Sequence, residues 1–259
     1  MTDYGLISII TPTWNCALFI SETIRSVREQ TYQNWEMIIS DDCSTDNTKD
    51  VIASYLEIDN RIKYICNDKN SGAAITRNNA LKVARGKWIA FLDSDDLWMP
   101  DKLEKQLKFM VEHNYYFSYT SYCEINEQSE ETGILISGPK HVTRAGMYAF
   151  CWPGCLTVMY NREHVGLIQI ADIKKNNDYA MWLKVCKKSD CYLLDECLAK
   201  YRRGRVGSIS THGYATLIKW HYKLFREAEG MNPISSFINT CINMVCGLYK
   251  KKRYVKHYK

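Results

Sequence analysis

The sequence has no uninterrupted apolar run of about 18 residues, so it predicts no membrane-crossing helix. No basic stretch, apolar core and cleavage site precede the first strand-like segment, which argues against a signal peptide. Cys-x-x-Cys is absent although there are eleven cysteines; the closest pairs are Cys151/Cys155, Cys186/Cys191 and Cys241/Cys246. That removes the ligand spacing of a structural zinc site and predicts reduced, mostly buried thiols in a cytoplasmic protein. The six histidines form no ligand pair. Neither a GxGxxG turn nor a P-loop occurs, which excludes dinucleotide and ATP chemistry. A Pro-, Gly- or Ser-rich linker is missing, as is an internal repeat.

What is present is an ordinary globular composition: 259 residues, 46% hydrophobic and 24% charged. The net charge of +5 is too mild for a dedicated nucleic-acid binder. It suits a protein that handles anionic substrates or approaches an anionic membrane.

The first hundred residues alternate strand and helix signals. Strands are predicted at Leu6 to Thr13, Trp35 to Ser40, Arg61 to Cys66 and Lys87 to Leu92. Helices are predicted at Ala17 to Gln30, after Ser44 as an N-cap, at Ser71 to Arg85, and from Pro100 onward. This order implies βαβ units and a mostly parallel sheet, with the ligand site beyond the carboxyl ends of the strands. Polar clusters fall at those ends: Thr13 and Asn15, then Asp41 and Asp42, then Asp93-Ser94-Asp95-Asp96. From about residue 115 the pattern turns α+β, with strands at Tyr115 to Ile125 and Tyr192 to Tyr201 and a helix at Asp178 to Lys188. The reading is one domain over 1–230, with a second half (113–230) that would cover the open side of the first (1–112). An amphipathic helix and basic tail (231–259) follow. In that tail Ile234, Phe237, Ile238, Cys241, Ile242 and Val245 share one helix face ahead of Lys250 to Arg253.

Three carboxylates within Asp93 to Asp96 repel one another unless a cation relieves them. Hard divalent ions such as Mg²⁺ and Mn²⁺ take one or two carboxylates plus substrate phosphates. Asp93, Asp95 and Asp96 are therefore candidate metal ligands; a solvated acidic loop ahead of a helix is the competing account.

Four segments carry a resemblance. SIITPTWN (8–15), SVREQTYQNWEMIISDDCSTDNT (26–48), NSGAAITRNNAL (70–81) and GKWIAFLDSDDLWMPDKLEKQL (86–107) resemble family 2 glycosyltransferases in order and spacing. The resemblance implies a GT-A fold, a Rossmann-like nucleotide-binding α/β domain. It also implies transfer of a sugar from a nucleoside diphosphate, commonly UDP, with a divalent metal. It places Pro12, Thr13, Trp14, Asn15, Asp41 and Asp42 around the nucleoside, with Asp42 on the base, and Arg77 near the nucleotide. Asp93, Ser94 and Asp95 match the DxD motif, at the ribose and the metal-bound diphosphate. The chain departs from the family at Trp14 (commonly Tyr), at Cys43 (commonly Gly) and at Asn177 (often acidic).

NNDYAMWLKV (176–185) resembles the later motif whose Asp opens a helix near the acceptor, making Asp178 the candidate base, with a plain N-cap as the alternative. YRRGRVGSIS (201–210) resembles a late Tyr-Arg segment. Arg202, Arg203 and Arg205 would meet the diphosphate there, or form a solvated basic turn. Trp152 would line the acceptor site or simply be core. Similarity to enzymes of bacterial surface polysaccharide synthesis (O-antigen or capsule) implies a lipid-linked glycan acceptor. The tail would then rest on an anionic membrane surface from the cytoplasmic side, or pack on the domain. A sugar-nucleotide nucleotidyltransferase is the first rival; TPTWNC replaces the glycine- and arginine-rich phosphate loop it needs. A non-catalytic nucleotide-sugar binder is the second.

Overall fold

The computed structural model describes residues 2–173, 175–204 and 214–258. Four strands, β1 (Ile7–Thr13), β2 (Trp35–Asp41), β3 (Ile62–Cys66) and β4 (Trp88–Phe91), run parallel in the sheet order β3-β2-β1-β4. β1 and β2 are buried at every position, as parallel strands covered on both faces must be. Ile7, Ile9, Met37 and Ile39 pack with Ile20, Ile24 and Val27 of helix α1 (Ile20–Arg28) on one face. Ile10 and Ile38 pack with Ala80 and Leu81 of α3 (Ala73–Val83) on the other. Helix α2 (Thr48–Leu56) connects β2 to β3. All four predicted strands are therefore present, each within a residue or two of its expected bounds.

Ser44 does not cap α2. Its backbone N and hydroxyl both donate to Asp41 Oδ1, at 2.9 and 2.6 Å, and the helix starts later, after Asn47.

The second half continues the same sheet. Beyond β4 lie the antiparallel β9 (Met159–Asn161), then β6 (Phe117–Ile125), β7 (Glu131–Ile136) and β11 (Val255–His257). A long strand, β10 (Cys191–Arg202), pairs in parallel with β6 and also with the two-residue strands β5 (Leu97–Trp98) and β8 (His141–Val142). The sheet is thus parallel through the first half and mixed in the second. Because β11 hydrogen-bonds to β7, the segment 231–259 is not a tail apart from the domain; its end completes the sheet.

Around this half lie α4 (Lys102–Glu112), α5 (Arg144–Ala149), α6 (Arg162–Val165), α7 (Asn177–Val185), α8 (Tyr214–Lys223) and α9 (Pro233–Arg253). Helix α4 carries a fully buried lysine. Lys102 Nζ donates to Gln106 Oε1 at 2.8 Å and sits 4.0 Å from the Trp98 ring centroid. Burial pulls its ammonium down to about 7. Between that value and the ordinary lysine range the unfolded chain binds the extra proton, so folding gains stability as pH rises. Lys102→Met is expected to be more stable than the parent at pH 7, and the advantage should shrink by about 2 kcal/mol by pH 9. Urea unfolding at the two pH values checks this; a pH-independent difference would mean the lysine folds without losing its proton.

Candidate functional site

At the carboxyl end of β1 the chain turns through Trp14, which is 52% exposed, and Asn15, held at φ 47°. Asn15 is laced to the loop after β2: its N donates to Ser44 Oγ at 2.9 Å, and its Oδ1 accepts from Thr45 N at 2.7 Å. Cys16 N donates to Thr48 Oγ1 at 2.8 Å and Asp42 N to Thr13 O at 2.9 Å. Two strand ends thus become one rigid lip, with the indole of Trp14 on its surface. Pro12 and Thr13 are buried beneath it, and the Thr13 hydroxyl has no hydrogen-bond partner among the described residues.

The adjacent aspartates after β2 have separate tasks. Asp41 Oδ1 takes both donors of Ser44, and its Oδ2 accepts from Tyr64 OH at 2.8 Å. Its carboxylate is spent on the turn, so it holds the lip and does not reach a nucleoside. Asp42 Oδ1 accepts from Asn67 Nδ2 (2.8 Å) and Ser71 N (2.7 Å), and Oδ2 from Gly72 N (2.7 Å). A carboxylate offers about four acceptor positions, so one remains open. Gly72 sits at φ 85°, a conformation that favours glycine at the start of α3. Cys43, in the position where glycine is usual, keeps the left-handed backbone at φ 60°. Its Sγ lies 2.9 Å from Asn67 O, a contact glycine cannot make.

The acidic turn after β4 is fixed from behind. Asp96 N bonds Asp93 O at 3.1 Å, and the Thr23 hydroxyl lies 2.9 Å from the carbonyls of both Ser94 and Asp96. Arg202 Nε donates to Asp95 O and Arg202 N to Asp96 Oδ1, both at 2.8 Å. Ser94 is buried and gives the turn its backbone. Asp96 is 2% exposed and bonded toward β10, which removes it from the candidate metal ligands. Burial, then the charges of Asp95 and Asp93, push its carboxyl well above the ordinary range. Asp93 and Asp95 remain partly exposed. Among the described residues no three His, Cys, Asp or Glu side chains converge as a cage. Two hard oxygen donors without a cage match a cation whose shell is completed by substrate phosphates.

Arg77 joins this turn to the second half. From α3 its Nη2 donates to Asp93 Oδ1 at 2.5 Å and its Nη1 to Asn177 Oδ1 at 3.0 Å. Its Nε is buried with no partner among the described residues. One guanidinium therefore spans from the acidic turn to the residue beside Asp178, in the first turn of α7. Burial pushes the Asp178 carboxyl above its usual range; Arg77 opposes the rise and Asp93 adds to it. Cys155 shares these surroundings, and burial pushes its thiol well up. Asn67 and Thr23 escaped the sequence reading. Asn67, directly after β3, was open to the same strand-end argument as its neighbours.

Two expectations are corrected. Trp152 is 7% exposed, with its indole N–H on Gly146 O at 3.0 Å and its ring against Phe150 and Tyr254, so it is core and not an acceptor platform. The Arg202 side chain is fully buried. Besides Asp95 O it donates to Asn126 O, Glu127 O, Ser129 Oγ and Glu22 Oε2, leaving it nothing for a diphosphate. Arg203 is half-exposed and paired with Glu124 at 2.7 Å; Arg205 lies outside the described residues.

The sequence profile described as Glycosyl transferase family 2 matches residues 8–149, more than half of the chain and the whole of the lip and acidic turn. The chain belongs to glycosyltransferase family 2. Among family members, TuaG of Bacillus subtilis, named for teichuronic acid biosynthesis, is 42% identical over 90% of this chain and 92% of its own. WfgD of Escherichia coli is named a UDP-Glc:alpha-D-GlcNAc-diphosphoundecaprenol beta-1,3-glucosyltransferase. It is 39% identical over 96% of each chain. The fold of this glycosyltransferase matches that of S. aureus TarS in complex with UDP-GlcNAc, with a TM-score of 0.72 and 21% identity over 93% of this chain and 74% of that one. It also matches the mannosyltransferase PcManGT of Pyrobaculum calidifontis in complex with GDP-Man and Mn²⁺. There the TM-score is 0.66 and identity 18%, over 93% of this chain and 70% of that one.

Proposed function

We propose that this glycosyltransferase moves a sugar from a UDP-sugar to a hydroxyl of a lipid-linked glycan, with inversion, in the assembly of a bacterial surface polysaccharide at the cytoplasmic side of the membrane. The observation that carries the mechanism is the Arg77 guanidinium, bonded at one end to Asp93 and at the other to Asn177. It sets Asp178 against the acidic turn, where base and leaving group must flank a single anomeric carbon. Trp14 stacks on the base and Asp42 accepts its N–H. Asp93 and Asp95 would hold a divalent cation, Mn²⁺ or Mg²⁺, which when bound would neutralise the departing diphosphate. Asp178 takes the proton of the acceptor hydroxyl. That oxygen bonds to the anomeric carbon as the carbon–oxygen bond to the diphosphate breaks, and UDP leaves.

The donor assignment draws on WfgD and TarS, whose names or complexes specify UDP-sugars, and the acceptor on WfgD, whose name specifies a diphosphoundecaprenol glycan. Among the described residues no helix is long and apolar enough to cross a membrane.

Calorimetric titration of UDP, GDP and dTDP with and without Mn²⁺ tests this reading. UDP is expected to bind tightly only with the metal, and Asp95→Ala to lose at least tenfold of that affinity. Equal affinity with and without Mn²⁺, in both proteins, would remove the acidic turn from the mechanism. Preference for GDP or dTDP would replace the donor.

A further inference from the structure

Helix α9 packs with the wrong side inward for a globular helix. The residues it buries are Ser236, Thr240 and Asn243, all polar. Thr240 Oγ1 donates to Ser236 O at 2.7 Å, and Asn243 Nδ2 donates to Tyr148 O at 3.0 Å and Tyr179 OH at 3.1 Å. At Gly247 the backbone comes so close to the Phe150 ring that an added Cβ would lie 3.0 Å from it. The apolar stripe points the other way. Ile234, Phe237, Ile238, Ile242, Val245 and Leu248 are between 41% and 73% exposed and supply six of the fifteen exposed large hydrophobic side chains among the described residues. A surface helix of a soluble protein normally turns such a stripe toward the core.

Charge identifies what the stripe faces. Residues 230–259 contain six Lys or Arg and no Asp or Glu, whereas the whole chain nets only +5, so everything before residue 230 nets −1. Lys251, Lys252, Arg253 and Lys256 are exposed at the end of the stripe. Lys250 is not among them, since its Nζ donates to Trp152 O at 2.7 Å. A second copy docked across a two-fold axis would bring this all-basic segment against itself, with no acid on it to pair. An apolar face with a basic collar instead matches an anionic bilayer interface, apolar residues among the acyl chains and lysines at the headgroups.

We infer that the outer face of α9 is a membrane-docking surface that lays this helix in the plane of an anionic lipid monolayer. This does not rest on the catalytic reading, although Asn243 bonds Tyr179, the neighbour of Asp178, and so ties the docked helix to the acceptor side of the cleft.

Vesicle co-sedimentation with the full chain tests it, using phosphatidylcholine alone and phosphatidylcholine with 30% phosphatidylglycerol, about the anionic share of a charged leaflet. Binding is expected on the anionic vesicles and to be at least tenfold weaker on phosphatidylcholine. Phe237→Ser with Val245→Ser, and separately Lys251→Glu with Lys252→Glu, should each weaken binding at least tenfold. All four positions are solvent-facing, so an unchanged melting temperature and unchanged UDP titration confirm that the variants are folded. No binding to anionic vesicles by the wild type, or binding that the Phe237/Val245 variant retains, overturns the proposal. A dimer in sedimentation velocity that this variant dissolves, with no vesicle binding, assigns the face to a second copy instead.

Discussion

Asp178→Asn is expected to lower kcat by about 10²–10⁴-fold, the usual contribution of a positioned general base, and to leave UDP affinity unchanged. Asparagine keeps the shape and the place in the first turn of α7, but it cannot take a proton. Its neighbour Asn177 would still accept from Arg77, so the link to Asp93 survives. The pH profile supplies a second reading. Only the ionised carboxylate is active as a base, and burial raises its pKa above the ordinary carboxylate range. In the wild type kcat should therefore fall on the acid side at a higher pH than for an exposed aspartate, and that limb should vanish in whatever activity the variant keeps. A variant with near-parental turnover would reduce Asp178 to a residue of the helix start.

Arg202→Met should cost about 3 kcal/mol or more of stability, which for a chain of this size lowers the melting temperature by roughly 6–12 °C. The side chain is fully buried and serves five acceptors on three separate segments: Glu22 in α1, Asp95 in the acidic turn, and the loop at Asn126 to Ser129. Methionine fills part of the volume and strands the carbonyls of Asp95, Asn126 and Glu127. Arg202→Lys should recover little, because a single ammonium cannot reproduce the fork. Metal-dependent UDP binding should weaken in parallel, since the turn that presents Asp95 loses its rear support. A variant that melts like the parent would show that Thr23, Arg77 and the backbone N–H of residue 202 hold the turn without the guanidinium.

The first half of the fold was legible because parallel strands covered on both faces read as continuous apolar runs, and their polar ends point to one rim. Resemblance added which of those ends matter. It could not divide adjacent identical residues: Asp41 and Asp42, or Asp95 and Asp96, differ only in which side of the chain their carboxylates leave, and that is set by Ser44, Tyr64 and Arg202 from elsewhere in the sequence. Arg202 looked like a phosphate ligand because guanidinium chemistry suits both roles; burial decided between them. The second half was harder because its strands are short. β8 has two residues and β9 three, too few to show a period. The stripe on α9 was plain in the sequence. Periodicity tells which residues share a face, but not which way that face points.

The pairing of β11 with β7 makes β11 a seal. β7 carries Gly133-Ile134-Leu135-Ile136, and its outer edge is occupied by only three residues, Val255 to His257. Strip those away and a row of unpaired N–H and C=O groups on an apolar strand opens to any passing chain, the usual template for aggregation. Removing the last ten residues to erase the basic cluster would therefore give a sticky protein whatever the lysines do. Charge-reversing substitutions leave the seal in place, and an affinity tag belongs at the other end of the chain.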